Sequence, residues 1–337
     1  MDFQDPEIFG STRIWRDNLS KWLMNSGCSV TQNCWDRLES YDIIIFGKYS
    51  NPDDIIRCIS KNQLIGLVNP PFFDKRWRPI LRKLDFIIVG SVEEKDYCLQ
   101  FNTNVFIIPL VERMFIKEKI HVPNVDGMVT LGYHGNMEHL HQFYPNISAA
   151  LDELSDFLLL KLNVIYNIRQ HGIWTYGRPK KIQVVDIQID SNTIEDELLK
   201  IDIGLCPGLN NPSHFSFKVT ELINRFLVIR TNPHENDYII RFKQKTNAGR
   251  SFVFHQLGIP VISDFTPSNF HILSDPECGY LAHYKEGWKQ AIIELAESPQ
   301  MRQIIANNAK ERFNELYDPI KWTKEFLAKI DKIKKTS

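Results

Sequence analysis

This 337-residue sequence lacks long apolar runs, closely spaced cysteines and a marked excess of charge of either sign. No segment approaches the roughly 20 apolar residues that a transmembrane helix needs. The N-terminal segment also lacks the basic and apolar regions of a secretory signal. The six cysteines form no Cys-x-x-Cys pair, so neither a zinc site nor a disulfide framework is expected. The sequence therefore predicts a cytoplasmic protein whose cysteines stay reduced.

The charges of the chain almost cancel, because 40 basic residues stand against 41 acidic ones and the formal net charge is −1. Binding to nucleic acid relies on an excess of positive charge, so a general DNA- or RNA-binding protein is not expected. The hydrophobic share of 43% and the charged share of 24% are those of an ordinary globular protein. At this length the chain has room for two medium-sized domains, each with its own core.

The first third of the chain contains short apolar runs separated by polar or amphipathic segments. These runs lie at 41–47, 64–68, 84–90 and 105–109. Apolar runs without in–out alternation are typical of parallel strands whose two faces are both covered by helices. Residues 1–120 are therefore predicted to form a Rossmann-like α/β domain.

A polar stretch at 116–127 is interpreted as a linker, and the α/β pattern then starts again. Further strands are predicted at 129–133, 162–166, 182–185, 203–206 and 260–263. Residues 127–316 are predicted to form a second Rossmann-like domain. Asp318-Pro319 interrupts the helical pattern that follows, and residues 317–337 are predicted to form a last amphipathic helix that packs back toward the N-terminal domain. The predicted fold is two α/β domains facing across a cleft, with a C-terminal crossing helix.

Two segments of the second domain are candidate phosphate sites. The segment 132–136 follows a predicted strand and contains two glycines, which let a ligand approach the backbone closely. Ligands of open α/β sheets bind beyond the carboxyl ends of the strands. The segment 243–251 leads into a predicted helix, and Lys245 and Arg250 lie near the start of that helix, where free N–H groups and cations hold phosphate. Composition alone favours the alternative, in which these cations only solvate the start of the helix.

Several motifs, taken in order, resemble the C-terminal domain of GT-B glycosyltransferases. The first glycine loop is matched by Tyr133-His134-Gly135-Asn136, and an Asp-Ile-x-Leu-x-Pro pattern is matched at 201–207. A helix that ends in Gly-x-Pro-Val-Ile is matched at 245–262, with a loop at 264–268 after it, and a Gly-x-Leu-Ala pattern is matched at 278–282. The helices between Trp288 and Tyr317 are similar to the usual tail of the family. Together these matches cover roughly residues 128–330.

The resemblance implies that the C-terminal domain binds a nucleotide-diphospho-sugar and the N-terminal domain binds the acceptor. It places the diphosphate near Gly135, Asn136, Lys245 and Arg250, the sugar or phosphate near Thr266, Pro267 and Ser268, and the base near 184–187 and Pro207. Lys245 and Arg250 are the predicted catalytic cations, because they would stabilise the departing phosphate. Arg169, Lys243 and Asn247 complete the predicted donor-binding residues.

The resemblance departs from the family pattern at one helix. Many retaining members carry two glutamates there, eight positions apart, whereas the matching positions of this chain hold Lys245 and Val253. The general base of an inverting reaction also stays open, with four candidates from the sequence. They are Asp74, Glu93, Glu112 and His134.

No metal site and no cofactor are expected, since the donor is itself a substrate. Glu138-His139-Leu140-His141 holds two histidines at a spacing that does not suit a helical metal site, so exposed histidines are predicted. The expected function is a metal-independent, hexosyltransferase-like enzyme that acts on a glycan or lipid-linked acceptor in surface polysaccharide or glycoconjugate biosynthesis, by analogy of fold. The basic tail at 329–335 allows peripheral association with the inner face of a membrane.

Two rival interpretations stay open at this stage. A non-hydrolysing nucleotide-sugar epimerase shares the fold, but the acidic and histidine groups that it needs in the cleft are not matched in this sequence. The missing glutamates favour a non-catalytic protein that binds a nucleotide sugar as a partner within a transferase complex.

Overall fold

The computed structural model describes residues 13–59, 62–71, 75–208 and 248–336. The chain divides into two compact units, of which unit 1 comprises residues 1–114 and 315–337 and unit 2 comprises residues 115–314. Each unit contains a sheet of parallel strands with helices, so the predicted α/β class with two Rossmann-like units is confirmed.

The sheet of unit 1 has the strand order β1-β2-β3-β4 within the described residues. Its strands are β1 (Ile43–Phe46), β2 (Leu64–Val68), β3 (Phe86–Val89) and β4 (Val105–Ile107). All neighbouring strands are parallel. Every residue of β2 and β3 is buried, which explains why these strands are continuous apolar runs in the sequence.

Short helices precede and connect the strands of unit 1. They are α1 (Leu19–Asn25), α2 (Pro52–Cys58), α3 (Arg78–Leu81) and α4 (Val92–Leu99), with a π-helical turn at Arg13–Asn18 and 3-10 turns at Leu38–Ser40 and Lys75–Trp77. Asn51 caps α2 by accepting a hydrogen bond from the backbone of Asp53 at 3.0 Å. Ser91 caps α4 in the same way through the backbone of Glu94, at 3.1 Å. These caps fix the points at which the chain turns from strand to helix.

The sheet of unit 2 has the strand order β10-β9-β8-β5-β6-β7 within the described residues, and all pairs are parallel. Its strands are β5 (Val129–His134), β6 (Leu160–Tyr166), β7 (Gln183–Gln188), β8 (Ile203–Cys206), β9 (Val261–Ser263) and β10 (Tyr280–Leu281). The chain starts at β5, adds β6 and β7 on one side, and then adds β8, β9 and β10 on the other. The strand order therefore reverses between β5 and β8, and such a switch point is where open α/β sheets bind ligands.

Helices and a large apolar core accompany the sheet of unit 2. The helices are α5 (Asn146–Leu154), α6 (Ile168–His171), α7 (Ile194–Leu199), α8 (Gly249–Gln256), α9 (Pro267–Leu273), α10 (Lys285–Glu297) and α11 (Pro299–Leu316), with a 3-10 segment at Met137–Phe143. Tyr133, Trp174 and Trp288 are among the largest fully buried side chains. Ser298 accepts a hydrogen bond from the backbone of Met301 at 3.1 Å, as expected for the cap that precedes a proline-initiated helix.

The segment interpreted as a linker packs on unit 2 over its first residues. The backbone N–H groups of Ile116 and Lys117 donate to one oxygen of Glu195, at 2.6 and 2.8 Å. Lys119 forms a largely buried ion pair with Asp202, at 3.1 Å. The polar composition of this stretch thus reflects specific hydrogen bonds to unit 2, which the sequence alone does not distinguish from those of a free linker.

The last helix, α12 (Pro319–Thr336), belongs to unit 1. The ring of Phe326 meets the rings of Phe86 and Phe106 edge-on, with centroid distances of 5.6 and 5.4 Å. Phe326 is only 3% exposed. An aromatic side chain near the C-terminus therefore completes the core of the sheet that is formed by residues near the N-terminus.

Candidate functional site

Three of the candidate residues come together at the switch point of unit 2. Gly135 follows β5, and Pro207 follows β8, the neighbouring strand. Arg250 in the first turn of α8 donates from Nη2 to the carbonyl of Pro207 at 2.8 Å. Gly135 has φ of +131°, and a Cβ at this position would lie 3.2 Å from Cδ of Arg250. The structure thus brings Gly135, Pro207 and Arg250 together.

The guanidinium of Arg250 is partly enclosed by the protein. Its Cζ lies 5.4 Å from the centroid of the Tyr133 ring, in a cation–π arrangement. Nη1 is buried and has no hydrogen-bond partner of normal geometry among the described residues. A buried cationic donor without a partner is costly. The arrangement therefore favours binding of an anion at Arg250.

Tyr133 supports the loop that carries Asn136. Its hydroxyl donates to the backbone carbonyl of Asn136 at 2.7 Å. Burial raises the pKa of Tyr133 to about 12, although the nearby charge of Arg250 acts in the opposite direction. The hydroxyl therefore keeps its proton at neutral pH and stays a donor.

His134 holds the first turn of α8 against β5. Its Nε2 lies 3.0 Å from the backbone carbonyl of Arg250, so this nitrogen carries the proton and donates it. The ring meets Phe254 edge-on at 4.9 Å. Burial lowers the pKa of His134 to about 4. A histidine of such low basicity that is already bonded to the backbone suits a structural role better than the role of general base.

Three buried histidines of unit 2 should make its stability depend on pH. Burial lowers the pKa of His121 and His134 to about 4 and that of His255 to about 3. The unfolded chain binds these protons near pH 6.5, so the stabilisation is complete above that pH and is lost as the pH falls toward 4. Each histidine should contribute a loss of about 1.4 kcal/mol per pH unit within its window.

Urea unfolding of the full chain at pH 7.5 and pH 5, followed by tryptophan fluorescence, measures this loss. His255 makes no hydrogen bond through either ring nitrogen within the described part of the chain. His255→Leu should therefore reduce the difference between the two pH values, whereas His171→Gln, at an exposed position, should not. An undiminished difference in His255→Leu would contradict the assignment.

Asp264 is a buried carboxylate that is not among the site residues predicted from the sequence. It follows β9, and its Oδ2 accepts a hydrogen bond from the backbone N–H of Gly208 at 2.8 Å. Its Oδ1 lies 3.1 Å from Nδ1 of His283, which follows β10, and this bond raises the pKa of His283. The carboxyl ends of β8, β9 and β10 are thus joined through one side chain. Asp264 follows a predicted strand, and ligands of such sheets bind beyond the carboxyl ends of the strands, so its position in the sequence already indicated a site residue.

The predicted residues Thr266, Pro267 and Ser268 lie at the start of α9. Oγ1 of Thr266 is buried and unpaired within the described ranges. A Cβ on Gly208 would approach Cγ2 of Thr266 to 2.5 Å, so Thr266 packs directly against the loop after β8. The structure therefore places the start of α9 beside the Pro207–Gly208 loop.

Arg169 occupies a different part of the carboxyl edge. It lies in α6 after β6, is exposed, and donates its backbone N–H to the side chain of Gln188 at 2.9 Å. Lys243, Lys245 and Asn247 lie outside the described residues, as does Asp74. The structure therefore leaves their predicted roles as predictions.

Two of the candidate bases that the structure describes lie in unit 1. Both oxygens of Glu112 accept hydrogen bonds from the Arg13 guanidinium, at 2.7 and 3.0 Å, so this carboxylate forms a bidentate ion pair. Glu93 is buried in the first turn of α4. Glu112 is thus better suited to holding Arg13 than to accepting a proton from a substrate.

Across the described ranges, the side chains of His, Cys, Asp and Glu form no group of three or more that could hold a metal ion. No helix in this part of the chain combines the length and the apolar character that crossing a bilayer requires. No disulfide bond joins any two of the six cysteines, all of which lie within the described ranges.

Several solved structures with a similar fold are glycosyltransferases. Sucrose-phosphate synthase from Thermosynechococcus elongatus matches with a TM-score of 0.58 and 12% identity, over 90% of this chain and 76% of that chain. WaaG, a glycosyltransferase involved in lipopolysaccharide biosynthesis, matches with a TM-score of 0.56 and 11% identity, over 94% of this chain and 95% of that chain.

TarM from S. aureus, solved as a mutant in complex with Fondaparinux, α-GlcNAc-glycerol and UDP, matches with a TM-score of 0.55 and 14% identity. This match covers 87% of the chain but 55% of TarM, so the chain spans about half the length of that protein. No protein-family model and no curated protein matches the sequence. The chain shares the GT-B fold of these enzymes, and the resemblance found in the sequence is confirmed at the level of the fold.

Proposed function

We propose that this chain is a glycosyltransferase that binds a nucleotide-diphospho-sugar at the switch point of unit 2. The observation that carries the proposal is the Arg250 guanidinium. Pro207 and Tyr133 hold it, and its Nη1 is buried and has no hydrogen-bond partner in the part of the chain that the structure describes. Arginine is well suited to phosphate oxygens, because its planar group offers two parallel donors. The fold shared with WaaG and with TarM, which was solved in complex with UDP, supports a nucleotide-sugar donor.

The chemistry follows from where charge develops during transfer. As the bond between the sugar and the diphosphate breaks, negative charge builds up on the departing phosphate. A fixed cation and helix N–H groups aimed at that phosphate lower the barrier, because they need no rearrangement when the charge appears. Arg250 in the first turn of α8 supplies such a cation, and Gly135 leaves room for its side chain, because a Cβ at Gly135 would lie 3.2 Å from Cδ of Arg250. Lys245 is proposed as a second cation.

The contact to the ribose must differ from that of many retaining relatives. Val253 occupies the position of their second glutamate, is buried, and lies in a helix without any carboxylate. The ribose hydroxyls must therefore bind elsewhere. The proposal therefore includes a donor whose ribose makes no contact with a carboxylate of α8.

The acceptor is proposed to be a glycan or a lipid-linked glycan in surface polysaccharide or glycoconjugate biosynthesis. The involvement of WaaG in lipopolysaccharide biosynthesis supports this choice. The reaction is proposed to take place in the cytoplasm, where cysteines that form no disulfide stay reduced. No cofactor is part of the proposal. Since Arg250 supplies positive charge at the phosphate, EDTA should leave the activity unchanged.

A panel of UDP-, GDP-, ADP- and dTDP-sugars tests the proposal with the full-length protein. Binding is measured by calorimetry, and release of free nucleotide is measured with and without lipid-linked or soluble glycan acceptors. Release that depends on the acceptor supports a transferase. An isomerised donor would instead indicate an epimerase, binding without turnover would indicate a non-catalytic partner, and failure to bind any member would contradict the donor site.

A further inference from the structure

The hydrogen bonds around Asp264 extend from the outer strand β10 to Arg250. His283 bonds to Oδ1 of Asp264 at 3.1 Å, and Oδ2 accepts from Gly208 at 2.8 Å. Gly208 is the neighbour of Pro207, whose carbonyl binds Arg250 at 2.8 Å. One oxygen of this buried carboxylate thus binds the loop that orients the guanidinium, and the other oxygen binds His283.

We propose that Asp264 and His283 are positioning residues of the donor site, acting on the donor phosphate through the Pro207–Gly208 loop and Arg250. This inference rests on the proposed function. In this arrangement neither residue touches the substrate. They hold the carbonyl of Pro207 at the place where it directs Arg250 toward the ligand.

Burial explains why a single bond can matter at this place. Asp264 is 4% exposed, so it cannot exchange its protein partners for water without cost. Loss of the His283 bond leaves Oδ1 without this partner and loosens the end of β10 from the end of β9. A carboxylate with fewer fixed bonds can rotate, and the N–H of Gly208 then loses a well-placed acceptor. A displacement of about 1 Å at a binding group is enough to weaken binding substantially.

A matched pair of variants distinguishes the effect of losing the hydrogen bond to Asp264 from the effect of replacing the His283 side chain. In His283→Asn, the amide nitrogen replaces Nδ1 as donor to Asp264, whereas His283→Ala removes the donor. We expect His283→Ala to raise the Kd for the nucleoside diphosphate about tenfold and His283→Asn to stay within about twofold of the wild type. Calorimetry on the full-length chain measures both constants, and thermal unfolding confirms that both variants are folded.

A double-mutant cycle with Arg250→Ala tests whether the effect passes through Arg250. If His283 acts by orienting Arg250, then His283→Ala should cause no further loss once Arg250 has been removed. Additive losses would show that His283 acts independently of Arg250 and would overturn the positioning role.

The cycle also keeps the two proposals apart. If the wild-type chain binds no nucleoside diphosphate, then the proposed function fails and this inference fails with it. If the wild type binds and His283→Ala binds equally well, then only the positioning role is wrong.

Discussion

Replacing Arg250 by alanine should weaken the binding of a nucleoside diphosphate by roughly 100-fold, or about 2.7 kcal/mol. Arg250 is a partly buried cation at the carboxyl edge of β5 and β8, with a donor that has no partner within the described residues. Removing it takes away a charge-assisted hydrogen bond to the ligand. If the same contact strengthens as the sugar departs, then kcat should fall by a factor on the order of 100 as well.

The comparison of three variants shows whether geometry or charge alone accounts for this loss. Arg250→Lys keeps the charge but loses the planar group that stacks on Tyr133, so an intermediate loss is expected. Arg57→Ala removes an exposed arginine of unit 1 and should leave binding unchanged. Calorimetry with the nucleotide that binds the wild type best measures each constant. Unchanged affinity in a folded Arg250→Ala protein would rule out the proposed phosphate site.

Replacing Phe326 by alanine should destabilise unit 1 by about 3–5 kcal/mol. The side chain is almost fully buried and meets Phe86 and Phe106 edge-on, so its loss removes apolar burial and opens a cavity. Such a loss is comparable to the whole stability of many domains. Unit 1 is therefore expected to unfold at a much lower urea concentration.

The same helix offers a matched control for this prediction. Ile320 lies in α12 but is 39% exposed, so Ile320→Ala should change stability by well under about 1 kcal/mol. Urea titration of the full-length chain, followed by circular dichroism and by tryptophan fluorescence, measures both variants. Equal effects of the two substitutions would show that Phe326 does not complete the core of unit 1.

The strands of this fold are readily predicted from the sequence, and the physical reason is burial. β2 and β3 are buried along their whole length, so they have to be continuous apolar runs. The start of α11 is equally local, since Ser298 and Pro299 signal it within one turn. Such features depend on neighbouring residues and need no knowledge of the strand order.

The site could be predicted only in part, because its remaining contacts join distant parts of the chain. Asp264 bonds to Gly208 and His283, which are 56 and 19 positions away, and only the adjacency of β8, β9 and β10 brings them together. The sequence does not indicate the ion pair between Glu112 and Arg13, which lie 99 positions apart, so Glu112 remained among the candidate bases. The strand order and the register decide these contacts, and neither is encoded in a local pattern.

The two segments of unit 1 are separated in the chain by the whole of unit 2. A ribosome that makes the protein from its N-terminus must therefore translate all of 115–314 before α12 can emerge. Unit 2 is one continuous stretch, so it can acquire all its residues earlier during translation. The apolar face around Phe86 and Phe106 stays uncovered until Phe326 has been translated. Chaperones that shield nascent chains would therefore have the longest opportunity to bind to this face. A premature stop codon before residue 319 would leave that face permanently without its helix.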